Sequence, residues 1–274
     1  MLVHILSDNI VQKRGILAEH GLSLLIEHEK TRILFDTGQS DIYCRNAAAM
    51  GLDLKKTDAI VISHGHYDHC GGLPFFPDAA FPEIYVHPGA FKKRYSIDPE
   101  KTNFRDIGVP WTWNSCGSAQ QKLVYNQGQT EIQPGITLCA CIPYVTNFES
   151  DPEGFYVKEK GAIRPDRFPD EQILVWETPC GLCVFLGCSH PGVVNCLKYA
   201  MKLFPGRSID SVVGGMHLRN ANEKRIYQTA QFFLDAGIRA VVPLHCTGIA
   251  AIAELKRLLG DRCRIQSAGD SFEL

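Results

Sequence analysis

One run constrains this chain more than any other feature: Ser63-His64-Gly65-His66-Tyr67-Asp68-His69. It puts three imidazoles and a carboxylate within six residues, directly after the apolar, β-branched segment 59–62, which reads as a buried strand. His64 and His66, two apart, lean to the same side of an extended loop, and Asp68 and His69 follow where the chain turns toward a helix. Nitrogen and oxygen donors at this density suit zinc, manganese or iron. The competing reading, a solvated loop that happens to hold histidines, leaves such density after a buried strand unexplained.

His64, His190 and His245 stand at or just past the end of an expected strand, and His217 nearly so. Strand ends in an α/β layer open on one rim, where ligands bind, so residues distant in sequence converge there. The expected elements are a hairpin of strands 22–28 and 32–35, a helix 41–50 stopped by Gly51, a strand 83–86 and a hairpin 173–177 with 182–186. Helices follow at 193–203, 223–236 and 249–259, alternating with strands 211–213 and 240–244, and a last strand is expected at 264–268. Residues from about 87 to 170 are rich in Pro, Gly and aromatics, with 136–142 the best strand, and are expected to form a partly ordered insertion. The whole, 1–274, is expected to be one domain in which two β-rich halves pack face to face with helices outside.

Twenty-eight Lys and Arg against 30 Asp and Glu give a net charge of −2, which excludes a strongly basic nucleic-acid surface. No run reaches the roughly 18 apolar residues of a membrane span. The start, Met1-Leu2-Val3-His4, reads as a strand and lacks the basic, apolar pattern of a signal peptide. Eleven cysteines, an odd number placed mostly within strands and helices, are expected as free thiols in a reducing cytoplasm. Cys180 and Cys183 read as a hairpin turn, since no second pair has matching spacing for a metal or redox site.

The run His64-Gly65-His66-Tyr67-Asp68-His69 resembles the His-x-His-x-Asp-His signature of the metallo-β-lactamase superfamily. Phe35-Asp36-Thr37-Gly38 is similar to that family's upstream Asp-x-Gly element, and Pro243-Leu244-His245 to its late histidine, an order covering almost the whole chain. Gly187-Cys188-Ser189-His190-Pro191-Gly192, Gly214-Gly215-Met216-His217-Leu218 and His245-Cys246-Thr247-Gly248 further resemble a subgroup of dihydropterin-related (ribofuranosyl-aminobenzene-phosphate) synthases and metal-dependent hydrolases. The resemblance implies an α/β fold, an αββα sandwich of two mixed sheets. It also implies two divalent ions, zinc with manganese or iron as alternatives: one on His64, His66 and His190, the other on Asp68, His69 and His245. Asp36 is implied to orient a ligand without binding metal, and joins Asp68 and His217 in the expected catalytic set.

The implied activity is hydrolysis of a small ester, lactone or phosphorylated metabolite, anionic ones among them, by a metal-bound hydroxide. Alternatives are a synthase or transferase acting on a pterin-like phosphorylated substrate, and a non-hydrolytic metal-binding or redox protein. Relatives that reduce oxygen commonly carry glutamate where this chain has His66, which weighs against redox chemistry. β-Lactam hydrolysis goes with export, which the N-terminal residues do not suggest.

Several positions stay open. Many family members have an aspartate after a glycine on the late strand, bridging both ions, where this chain has Gly187-Cys188. Either Cys188 supplies a thiolate, or His190 is that segment's only ligand, or the second ion is weakly held; a plain buried strand thiol is the bland account. His217 lies either against substrate, with Gly214-Gly215 permitting close approach, or satisfied within a turn. His87 reads as structural, and His4, His20 and His28 have no assignment. Trp111, Trp113, Tyr144, Phe148, Phe155 and Tyr156, with Lys92, Lys93, Arg94 and Arg105, either line a pocket for a planar anion or form the insertion's own core and basic face.

Overall fold

Two sheets form the body of the protein, in a computed structural model that describes residues 1–77, 81–97, 103–150 and 152–274. The first sheet runs β17 (Ser271–Glu273), β1 (Leu2–Ser7), β2 (Ser23–His28), β3 (Thr31–Phe35), β4 (Ala59–Val61), β5 (Glu83–Val86), β8 (Leu123–Tyr125). The second runs β16 (Ala240–Leu244), β15 (Ile209–Gly215), β14 (Gly181–Leu186), β13 (Gln172–Thr178), β10 (Ile136–Ala140), β9 (Gln129–Gln133). Both are mixed: β3, β4, β5 and β8 are parallel, as are β14, β15 and β16, while the remaining pairs are antiparallel.

Alternate strand residues explain the layers. Leu24, Phe35 and Val61 of the first sheet pack against Leu174, Phe185 and Val213 of the second in the central core. Their neighbours Leu25, Leu34 and Ile60 face α1 (Ile42–Ala49). Val184, Val212 and Val241 face α3 (Val193–Leu203), α4 (Glu223–Asp235) and α5 (Ile249–Leu259). This is the αββα sandwich. Because both faces of each sheet are covered, the strands read as continuous apolar runs rather than alternations.

Residues 87–170 divide among three sheets. β8 extends the first and β9 and β10 the second, while β6 (Arg94–Ile97), β7 (Phe104–Asp106), β11 (Phe155–Glu159) and β12 (Ala162–Pro165) form a small antiparallel sheet of their own. Arg94, fully buried, ties that sheet to the histidine loop: its Nε donates to Asp166 Oδ2 at 2.7 Å, and it pairs with Asp170, whose Oδ2 accepts from Gly65 N at 2.9 Å. Ion pairs this deep contribute little net stability, so the network's effect is positional.

The expected strand at 264–268 is a correction. That segment leaves the edge of the second sheet, with one bridge there at Cys263–Val241 and one to the loop after β1 at Ala268–Val11, and the last strand is β17. All eleven cysteines are free, with Cys180 in the β13–β14 turn and Cys183 on β14. Among the described residues no helix is long and apolar enough to cross a membrane.

Candidate metal centre

Strands from both sheets end on one rim. β3 delivers Asp36, β4 the histidine loop, β14 Cys188 and His190, and β16 His245. Asp36, Ser189, His217 and His245 have φ of 59°, 59°, 48° and 51°, in the left-handed region that residues with a Cβ seldom enter. Backbone strain of this kind persists where surrounding contacts over-determine it, and here it turns side chains sharply off strand ends into one site. Gly187 makes the approach possible: a Cβ there would stand 2.1 Å from Ser63 Oγ, behind His64.

The expected donors converge as two triads. His64 Nε2 lies 3.1 Å from His66 Nδ1, and His190 completes their group, with donor atoms within 4.8 Å of one another. In the second, His69 Nε2 lies 3.1 Å from His245 Nε2, and Asp68 Oδ2 lies 3.4 Å from His245 Nε2. The far nitrogens are held elsewhere. His69 Nδ1 is 2.6 Å from Asp36 Oδ2, His245 Nδ1 2.8 Å from Asn9 Oδ1, and His190 Nδ1 2.6 Å from Glu171 Oε2. His64 Nδ1 is 2.9 Å from Ser63 Oγ, which donates its own proton to Asp36 Oδ2 at 2.7 Å.

With protons on those far nitrogens, the Nε2 atoms of His69 and His245 turn lone pairs toward each other across 3.1 Å. That is repulsive unless a proton or a metal ion lies between. Two ligands at about 2.0–2.1 Å from a tetrahedral ion stand about 3.3 Å apart, so the spacing is that of donors around a shared metal. The donor set fits a divalent cation.

The electrostatics of the first triad agree. Burial, reinforced by the neighbouring imidazoles, pushes His64 and His66 well down and His190 to about 3, leaving them as the neutral form that binds metal. Burial also pushes His69 down, but Asp36 and Asp68 outweigh it and hold the ring at about 9. Asp68 sits well below the usual carboxylate range despite its burial, because His69, His20 and His245 favour its charge.

A cavity of about 1150 Å³ opens over the triads. His217 lies on its wall with its ring 4.7 Å from that of His190, and its buried Nδ1 has no hydrogen-bond partner. The aromatics divide. Phe148 and Phe155 line the cavity, whereas Trp111 and Trp113 pack with Phe91 beside the α1-side core. Arg105 lines it too, while Lys92 pairs with Glu159 and Arg94 is buried.

A sequence profile of the metallo-beta-lactamase superfamily matches residues 17–120. The 7,8-dihydropterin-6-methyl-4-(beta-D-ribofuranosyl)-aminobenzene-5'-phosphate synthase of Methanocaldococcus jannaschii is 32% identical over 253 residues, 85% of this chain and 83% of its own. The chain belongs to the metallo-beta-lactamase superfamily. The crystal structure of a metal-dependent hydrolase of the beta-lactamase superfamily is 33% identical and superposes with a TM-score of 0.85, covering 100% of this chain and 99% of that one. Zn(2+)-bound PqqB from Methylobacterium extorquens shares the fold at 14% identity and a TM-score of 0.59 over all of both chains. As a member of the superfamily the protein is a metal-dependent enzyme.

Its triads also use residues that sequence reasoning passed over. Glu171 accepts from Cys188 N and Ser189 N through Oε1 while Oε2 holds His190, and burial pushes this carboxyl up to about 7. Asp8 accepts from His245 N at 2.7 Å, beside Asn9 on the ring. His20, left unassigned above, has Nε2 3.1 Å from Asp68 Oδ2. Asp8 and Asn9 directly follow β1 and Glu171 directly precedes β13, the same strand-end signal that marks the histidines.

Proposed function

We propose that this superfamily member holds two divalent ions, zinc in preference to manganese or iron, on His64/His66/His190 and Asp68/His69/His245, and hydrolyses a small phosphorylated metabolite. The observation that carries the reading is the composition of the cavity over the triads. Arg105, Arg219, Lys224 and Arg225 line it, and among the described residues none has a carboxylate within ion-pair distance. Tyr67, Phe148 and Phe155 supply an aromatic wall, with Phe155 stacked 5.7 Å from His66. Unpaired cations beside aromatic surface suit an anion carried on a planar group.

Divalent ions in such a pair of triads supply Lewis acidity and acidify water. The chain's own residues do the rest. Asp36 and Glu171 keep the donor imidazoles in one tautomer, the cations seat the anion, and Phe155 and Phe168 screen the His190 side from solvent. The ring of His217 lines the cavity beside His190, where it would meet the substrate.

The likeness to the M. jannaschii synthase favours a second reading, in which the same pocket joins a phosphorylated substrate to a pterin-like partner. Turnover of phosphate esters and lactones in heavy-oxygen water separates the two: hydrolysis puts the label into product, whereas a synthase joins two substrates without it. Full activity retained in both His66→Ala and Asp68→Ala would sink either version.

A further inference from the structure

We propose that Cys188 is a metal ligand shared by the two triads, its sulfur taking the bridging place that a carboxylate holds in many relatives. This rests on the two-ion reading above. The position carries it. Cys188 Sγ belongs to three groups whose donor atoms lie within 4.8 Å of one another: with His64 and His69, with His190 and His217, and with His245 and Cys246. It thus reaches His64 and His190 of the first triad and His69 and His245 of the second, with 3.2 Å to His69 Nε2.

The surroundings separate it from an ordinary strand thiol. Cys139, Cys183, Cys196 and Cys263 lie within the apolar cores, and Cys70 and Cys116 within the α1-side core. Cys188 is just as buried yet belongs to none of these clusters; its sulfur faces imidazoles and the thiol of Cys246. Its backbone is pinned as a ligand's would be. Glu171 Oε1 accepts from Cys188 N at 3.1 Å and Ser189 N at 2.6 Å, while Ser189 Oγ donates to Gly215 O at 2.8 Å. One carboxylate, Glu171, therefore positions both Cys188 and His190. Cys246 is the nearest rival, but it groups only with Cys188 and His245. A sulfur at the shared position selects zinc, cobalt or iron over magnesium and manganese.

Cobalt(II) loading tests this without reference to activity, because thiolate bound to cobalt gives a near-ultraviolet charge-transfer band that nitrogen and oxygen donors do not. Wild type is expected to bind about two cobalt ions with the band. Cys188→Ser is expected to lose the band and about half of the metal, Cys188→Asp to keep both ions without the band, and Cys246→Ser to keep both. A band that survives in Cys188→Asp, or that disappears only in Cys246→Ser, overturns the proposal. A folded wild type that takes up no cobalt fails the two-ion reading itself, and the proposal with it.

Discussion

The two triads use the same imidazole chemistry but are held and exposed differently. His64, His66 and His190 form an uncharged set closed in by rings: Phe168 lies parallel to His190 at 4.0 Å, and Phe155 covers His66. Asp68, His69 and His245 include a carboxylate, and Asp68 and His245 line the cavity beside the exposed His20. Both sets reach the same cavity, the first through neutral imidazoles and the second with a charged carboxylate. Asp36 joins them, reaching His69 directly and His64 through Ser63. The contrast shows that a paired site need not be symmetric, and that one buried carboxylate can align both halves.

Removing a donor from either triad has the largest expected effect. His66→Ala and Asp68→Ala each cost more than about a hundredfold in turnover, beyond the 10–100-fold typical of orienting residues, with circular dichroism unchanged. Asp36→Asn comes next, weakening metal binding at both positions by about 10–100-fold in chelator competition; loss at one position alone would break the claim that it serves both. Glu171→Gln and Asn9→Ala sharpen the asymmetry. Each is expected to cost about tenfold in affinity, the former most in the phase assigned to the first triad, with a smaller loss in the second through Cys188, and the latter only in the second. The smallest effect belongs to the cavity wall: Lys224→Ala raises KM for a phosphorylated substrate about two- to fivefold with kcat kept, and added salt shrinks the difference.

What was legible in the sequence follows from locality. The donors from His64 to His69 are contiguous, and strands such as β4, β14 and β16 announce themselves because both faces are buried. The late histidines were found because they follow such strands. Glu171 and Asn9 were missed although they stand on the same rim. Each is one polar residue whose partner lies 19 or 236 positions away, and nothing local distinguishes it from a solvated strand end. The division of residues 87–170 was equally hidden, since short strands such as Leu123–Tyr125 pair only with distant chain. The misplaced last strand lay between the sheets, with a single bridge near each end, rather than in one.

The pairing of β1 with β17, together with the grip of Asp8 and Asn9 on His245, has a consequence for how the protein matures. As the chain emerges during synthesis, His64 to His69 appear early, but the partner that completes the second cage arrives only after nearly 180 further residues, since the contact between His69 and His245 spans 176 positions. Contacts of such long range form late and slowly. Ions met by the nascent chain therefore encounter half a cage. On the two-ion reading proposed above, the order of loading would follow the connectivity, the second triad being complete only once the grip of Asp8 and Asn9 on His245 has formed.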